Sequence, residues 1–457
     1  MIWQSINPAT EEVLQEYPGH SDREVDQILN ASVSAFQDFS RIPIKQRAEW
    51  LRAIGGLLEL KKEELGQLMT AEMGKPITQS RAEIEKCKLV CDYFADNAED
   101  FLQPRHIENG STRKFVEYDP LGPILAIMPW NFPFWQVFRF AAPNLMAGNT
   151  ALLKHAPNVG GCAQAIESLF RQAGYPPGCF HSLVLSNEAT EKLIGDDRIQ
   201  GVTLTGSETA GRRVAARAGE AIKKSVLELG GSDPCIILAD ADLDAAAETA
   251  AQSRMLNSGQ SCIAAKRFIV VADVYTDFLE RFARHLKTYT PDAPTQNDCR
   301  LGPMARSDLR DKLHEQCQTL LKEGARLHFG AQPVDGRGYF YEPTLFSDVS
   351  AEMLAAREEI FGPVASVFAA RDSEHAIELA NQTRYGLGAA LWTRDLDNVP
   401  QLIHKIQAGA VFVNSLVRSE VHVPFGGVKA SGYGRELAPE GIREFMNWKS
   451  VVITAGG

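Results

Sequence analysis

The stretch Val202-Thr203-Leu204-Thr205-Gly206-Ser207-Glu208-Thr209-Ala210-Gly211 reads as a short strand, a glycine turn and the start of a helix. Strand, tight turn and helix in ten residues are the unit from which α/β folds are wound. Such a turn leaves backbone N–H groups free at a positive helix end, which suits a phosphate. It lacks the full G-x-G-x-x-G fingerprint, and glycine is common in any strand-to-helix turn. On either side the same texture continues. Ile124–Met128, Thr150–Lys154, His181–Leu185 and Cys235–Leu238 read as strands, with helical patterns between most of them. A second series runs through Arg267–Val271, Ala365–Phe368 and Ala410–Val413, and Ser450–Thr454 reads as a last strand. The expected fold is therefore α/β, with two doubly wound lobes joined near Gly230-Gly231.

Ahead of these lobes, residues 21–108 read as helical. Ser21 and Glu24 form a capping box, and Val25, Ile28, Leu29, Ser32, Val33 and Phe36 follow at helical spacing. Further periodic runs cover Ala48–Met69 and Ile77–Leu102.

Of 457 residues, 44% are hydrophobic, 23% charged and 8% aromatic, an ordinary globular composition. It excludes a collagen-like, coiled-coil or broadly disordered chain. Two or three domains fit the length, at roughly 150 residues each. Forty-seven basic against 58 acidic side chains leave a charge of −11, a poor balance for binding nucleic acid or an anionic membrane. The most apolar stretch, Leu121 to Leu145, carries one charge, Arg139. Pro123, Pro129, Pro133 and Pro143 would break a membrane span there. The first residues show neither a basic nor an apolar leader pattern, so the expected location is cytoplasmic. Eight scattered cysteines, without Cys-x-x-Cys or paired His/Cys spacing, suit reduced thiols and no metal site.

Three further motifs could carry chemistry. Cys262 follows Asn257-Ser258-Gly259-Gln260-Ser261, a tight and accessible backbone for a nucleophile, although most cysteines are simply small buried residues. Glu228 ends an apolar strand before Gly230-Gly231, either as a solvated edge residue or as a desolvated base. Asn131 lies between Pro129 and Pro133, so its amide is held rigidly enough to stabilise an oxyanion. Taken alone, that last motif is a rigid aromatic turn.

Together with the Gly206-Ser207 turn, the order and separation of these motifs resemble the aldehyde dehydrogenase superfamily, from Asn7-Pro8-Ala9-Thr10 almost to the C-terminus. Glu359-Ile360-Phe361-Gly362-Pro363, Asn414, and Pro424-Phe425-Gly426-Gly427-Val428-Lys429 ahead of Gly434-Arg435-Glu436 match as well. The resemblance implies a Rossmann-type cofactor lobe (1–101 and 121–230) and an α/β catalytic lobe (231–424). It also implies a small β oligomerisation arm with the C-terminal tail (102–120 and 425–457), in a homodimer or homotetramer. It makes Cys262 the thiol that attacks an aldehyde, Asn131 part of the oxyanion hole, and Glu228 the base that hydrolyses the thioester. The coenzyme-A-acylating branch lacks that glutamate. NAD or NADP would be held by Trp130, Lys154, Gly206, Ser207, Glu359 and Phe361. NAD-specific relatives usually carry a glutamate where this chain has Pro157, so use of both cofactors is expected.

For the substrate, the helix after Asn131 should line a tunnel with Gln136 and Arg139. In the branch acting on succinate semialdehyde an arginine stands at position 139, and Ser419 falls in a loop that contacts the carboxylate. Some members add a second arginine where this chain has Leu256. Succinate semialdehyde is the expected substrate. Glutarate semialdehyde or a neutral aliphatic aldehyde stays open, as does a catalytically dead structural member. Ala264 stands where some relatives have a second cysteine, so a disulfide switch at the nucleophile is not expected.

Overall fold

A computed structural model of the chain describes residues 1–108 and 112–454. A hairpin of β1 (Ile2–Ile6) and β2 (Val13–Pro18) opens it, followed by helices α1 (Asp22–Phe39), α2 (Ile44–Leu60), α3 (Lys62–Met73) and α4 (Ile77–Phe101). The capping box at the start of α1 forms. Glu24 N–H donates to Ser21 Oγ at 3.3 Å, and Ser21 N–H donates to the Glu24 carboxylate at 2.7 Å. The periodic run Ala48–Met69 is two helices, broken at Lys61. The helical reading of 21–108 fails at its end, where β3 (Arg105–Ile107) begins. It pairs with β4 (Arg113–Pro120), which pairs with β18 (Met446–Ile453) in an antiparallel three-stranded sheet. Ile107, Trp448, Val452 and Ile453 are exposed on that sheet. The oligomerisation segments expected at 102–120 and 425–457 include residues 109–111 and 455–457, which lie outside the described residues.

The first large sheet holds β5 (Pro123–Ile127), β6 (Thr150–Lys154), β7 (Phe180–Ser182), β8 (Gly201–Thr205) and β9 (Lys224–Glu228). Its order is β17-β9-β8-β5-β6-β7, all parallel except the antiparallel edge strand β17 (Gly432–Tyr433). Here β7 starts and stops earlier than the expected His181–Leu185, although Leu183 N–H still donates to the Leu153 carbonyl of β6 at 2.7 Å before the chain reaches α7 (Asn187–Ile194). Helices α5 (Trp135–Ala147), α6 (Gly160–Gln172) and α8 (Glu208–Glu220) provide further crossovers. Ile124, Ala126, Ala151 and Leu153 pack into one core, and Leu125, Leu152, Val202 and Leu204 into another. Both faces of this sheet are thus covered, which is why its strands read as continuous apolar runs rather than alternating ones.

The second sheet contains β10 (Pro234–Ile237), β11 (Arg267–Val271), β12 (Arg326–Phe329), β13 (Thr344–Ser347), β14 (Val364–Ala370), β15 (Gly388–Trp392) and β16 (Ala410–Val413). Its order is β12-β13-β14-β11-β10-β15-β16, with only the β12–β13 pair antiparallel. Helix α9 (Leu243–Met255) connects β10 toward β11. Sequence periodicity missed β12, β13 and β15. The first two are short, and Gly388-Ala389-Ala390 lacks the β-branched residues that mark a strand. No described helix is long and apolar enough to cross a membrane.

Candidate active site

The order in which strands are added to the first sheet reverses at β5, which has β6 on one side and β8 on the other, both parallel to it. In open α/β sheets ligands bind in the crevice at the carboxyl ends of such neighbouring strands. Four expected residues or loops leave this edge. Register pairs Lys154, at the end of β6, with Ile127, and Glu228, at the end of β9, with Thr205. Trp130 and Asn131 follow β5, and Gly206 and Ser207 follow β8. The second sheet presents its opposite edge, because Cys262 precedes β11, Glu359 and Phe361 precede β14, and Gly230-Gly231 precede β10. A cleft of about 330 Å³ lies between these two edges.

Asn131, Glu228 and Cys262 all line this cleft, as do Trp130, Gly206, Ser207, Glu359, Phe361 and Gln136. Lys154 is 7% exposed at the β6 end, with its ammonium 5.5 Å from the Trp3 ring, and it does not line the cleft itself. Burial holds its pKa down. Arg139 and Ser419 also lie outside the cleft lining.

The loop ahead of Cys262 is built for close approach. Asn257 and Ser258 both have φ of 54°, and Gly259 has φ of 73°. A Cβ on Gly259 would sit 2.2 Å from the Gly362 carbonyl oxygen, so only glycine fits there. Two consecutive left-handed non-glycine residues are strained, and such strain persists only where surrounding contacts enforce it. Here Asn257 Nδ2 donates to the Asn131 carbonyl at 2.7 Å, and Asn131 Nδ2 donates to the Gln260 carbonyl at 3.0 Å. The loops bearing the thiol and the amide therefore hold each other. Lys266, 3% exposed, donates to the carbonyls of Ser261, Cys262 and Ala264 at 2.8–3.1 Å and lies 3.4 Å from Glu359 Oε1.

Electrostatics separates the roles. Burial pushes the Cys262 thiol up to about 12, with Arg139 and Lys266 pulling the other way. Glu228 is 2% exposed and neither carboxylate oxygen has a hydrogen-bond partner. Desolvation, then the nearby Glu436 carboxylate, raise its pKa well above the usual range, opposed by Arg139 and Arg435. A desolvated carboxylate without fixed partners is free to take a proton, which is what a base needs.

The substrate-side expectations divide. Ser419 Oγ accepts from Lys86 Nζ at 2.7 Å and from Trp135 Nε1 at 3.0 Å. Arg139 instead forms a buried ion pair with Glu436 and stacks 4.4 Å over the Phe425 ring, so its guanidinium is committed to the protein. Sequence reasoning missed Lys86, Lys266 and Glu436. It also missed Arg384, which bridges Glu208 of α8 and Glu358 of the second lobe at 2.8 and 2.9 Å beside the cleft. A local pattern carries no signal for such pairings. The Lys75–Glu83 pair was missed too. Glu83 accepts the N–H groups of Phe134 and Trp135 at 2.9 Å each, anchoring the start of α5 just after Asn131. Among the described residues no group of three or more metal-ligating side chains exists.

The sequence matches the aldehyde dehydrogenase family over residues 2–451. It is 48% identical to a probable succinate-semialdehyde dehydrogenase, NADP(+), from Synechocystis sp., over 98% of this chain and 99% of that one. A succinate semialdehyde dehydrogenase, NAD(P)+, named Sad, from Escherichia coli is 47% identical over 98% of this chain and 97% of its own. Among solved structures, succinic semialdehyde dehydrogenase from Streptococcus pyogenes with NADP+ superposes with a TM-score of 0.97 at 34% identity, covering 99% of this chain and 100% of that one. The protein Gox0499, described for its cofactor and substrate selection, gives 0.98 at 40% identity, covering 99% and 100%.

Proposed function

The chain belongs to the aldehyde dehydrogenase family, and we propose that it oxidises succinate semialdehyde to succinate with NAD+ or NADP+. The observation carrying this reading is the convergence of Cys262, Glu228 and Asn131 on one cleft that also holds the Gly206-Ser207 turn. The choice of aldehyde rests on the names of the relatives.

The residues fit a dinucleotide. Ser207 caps α8, its Oγ accepting from Ala210 N–H at 3.3 Å, so the first turn of that helix offers an N-terminus to a pyrophosphate. Gly230 carries no Cβ where one would meet Glu359 Oε2 at 2.5 Å, which keeps that carboxylate against the cleft for a ribose. When bound, the nicotinamide accepts the hydride that leaves the substrate carbon.

Cys262 Sγ gives up its proton to water in the open cleft and attacks the aldehyde carbon, which leaves Glu228 unprotonated for the later step. The carbonyl oxygen becomes an oxyanion. Asn131 Nδ2, with one N–H still to give after bonding Gln260, and the Cys262 backbone N–H stabilise it. Loss of hydride leaves a thioester on Cys262. Glu228 then takes a proton from water, which attacks the thioester carbon and releases the acid and the thiol.

The three-stranded β3-β4-β18 sheet, with Trp448 and Val452 half-exposed or more, supports assignment of this arm to a homodimer or homotetramer contact. The test of the activity is a panel of aldehydes with both cofactors, read by cofactor reduction. Succinate semialdehyde should give the highest kcat/KM. No reduction with any aldehyde would overturn the reading.

A further inference from the structure

We infer that Arg384 is a positioning residue for the cofactor: by holding the Glu208 carboxylate across the cleft, it keeps the N-terminus of α8 open for a pyrophosphate. The inference rests on the reading of the Gly206-Ser207 turn as the dinucleotide seat and names the charge that this seat requires.

Glu208 is the first residue of α8, directly after the Gly206-Ser207 turn, and it lines the same cleft. A carboxylate suits a helix N-terminus because its charge meets the free N–H groups there. The same preference makes Glu208 a rival of any anion that comes to this end. Hydrogen bonds from Arg212, and then from Arg384, hold its carboxyl below the usual carboxylate range, so it is charged at neutral pH. A fixed negative charge one residue from a phosphate seat opposes binding unless a cation answers it.

The carboxylate is drawn away from its own helix end. Glu208 Oε1 accepts from Arg212 Nε and Nη2 at 3.1 and 2.8 Å, and Oε2 accepts from Arg384 Nε at 2.8 Å. Among the described residues no backbone N–H of the first turn donates to it, and the Ala210 N–H goes to Ser207 Oγ. The two arginines are not equivalent. Arg212 lies one turn further along α8 with its side chain 73% exposed, where water screens the pair. Arg384 reaches over from the loop ahead of β15 in the second lobe. Its other four N–H groups go to Glu358 Oε1 and Oε2 at 3.2 and 2.9 Å, and to the Arg357 carbonyl and Tyr385 Oη at 2.9 Å each. With every donor spent, the guanidinium is a fixed post to which Glu208 is tied. Arg384, Glu208 and Glu358 all line the cleft, so the bridge joins its two walls beside the turn. Without Arg384, Glu208 keeps its charge, loses its anchor and is free to turn back onto the N–H groups that the phosphate needs.

The experiment measures Kd for NAD+ and for NADP+ by titration calorimetry in the wild type, Arg384→Met, Arg384→Gln, Glu208→Gln and the double variant Arg384→Met with Glu208→Gln. Circular dichroism checks that each is folded, and Arg384→Gln, which keeps polar contacts without the charge, stands in if Arg384→Met does not fold. Either Arg384 variant should bind both cofactors roughly ten- to hundredfold more weakly. Glu208→Gln should bind at least as tightly as the wild type, and the double variant should recover most of the loss, because the rival carboxylate is gone. Wild-type affinity in a folded Arg384 variant would overturn the role of Arg384. A loss that Glu208→Gln does not repair would overturn it as well, leaving Arg384 a structural bridge only. A wild type that binds neither dinucleotide would overturn the cofactor reading itself.

Discussion

The guanidinium of Arg139 and the carboxylate of Glu436 form an ion pair whose two side chains are only 2% and 6% exposed. The pair bears on Glu228 with one charge of each sign, the Glu436 carboxylate raising its pKa and the Arg139 guanidinium lowering it. Breaking a buried pair strands the remaining charge, which commonly costs about 3–5 kcal/mol. Arg139→Leu should therefore lower stability by that order in denaturant titration. It should reduce turnover of succinate semialdehyde and butanal together. A folded Arg139→Leu that loses only the semialdehyde would show that the guanidinium serves the substrate instead.

Cys262→Ala should abolish hydride transfer, whereas Glu228→Gln should still release a burst of reduced cofactor before thioester hydrolysis stalls. Rapid-mixing kinetics separates the two. The burst requires that another acceptor take the thiol proton, and its absence in Glu228→Gln would assign Glu228 to thiol activation as well.

The raised pKa of Glu228 has a pH consequence with a definite sign. The carboxylate must be deprotonated to act, so kcat should rise with pH through the raised value. Glu436→Gln removes the like charge and leaves Arg139 to act on Glu228 alone, lowering that pKa. The acidic limb of the kcat profile should then move to lower pH. An upward movement would contradict the arrangement.

In the proposed mechanism Asn131→Ala removes a preorganised donor to the developing oxyanion. Loss of one such donor typically costs about a hundred- to a thousandfold in kcat. The fall should appear in kcat for every aldehyde, with the cofactor KM little changed. A loss confined to KM would place Asn131 in ground-state binding only.

Pro157 is exposed after β6 and carries no charge to repel a 2′-phosphate. His155 adds none either, since its ring is fully buried against the Pro133 carbonyl and held near a pKa of about 4. NAD+ and NADP+ should differ by less than about a thousandfold in kcat/KM. Pro157→Glu should cut NADP+ use by roughly tenfold or more and NAD+ use less, through like-charge repulsion. Equal losses with both would remove Pro157 from cofactor choice.

Local order is what the sequence by itself determined. The strand, glycine turn and helix at 202–211, the Ser21–Glu24 capping box and the strands Thr150–Lys154, Arg267–Val271 and Ala410–Val413 appear where their residues place them. Each depends on neighbours within a few positions, through propensity, periodicity or capping. The motif residues around Cys262, Glu228 and Asn131 were legible in the same way, and the fold brings them to one cleft. Charge partnership was decided only by tertiary structure. Lys86 meets Ser419 across 333 positions, and Arg139 meets Glu436 rather than open space, because α4, α5 and the C-terminal loops pack together. A lone arginine in an apolar run announces that it needs an anion. Which anion answers depends on packing between distant segments, and no local pattern encodes it.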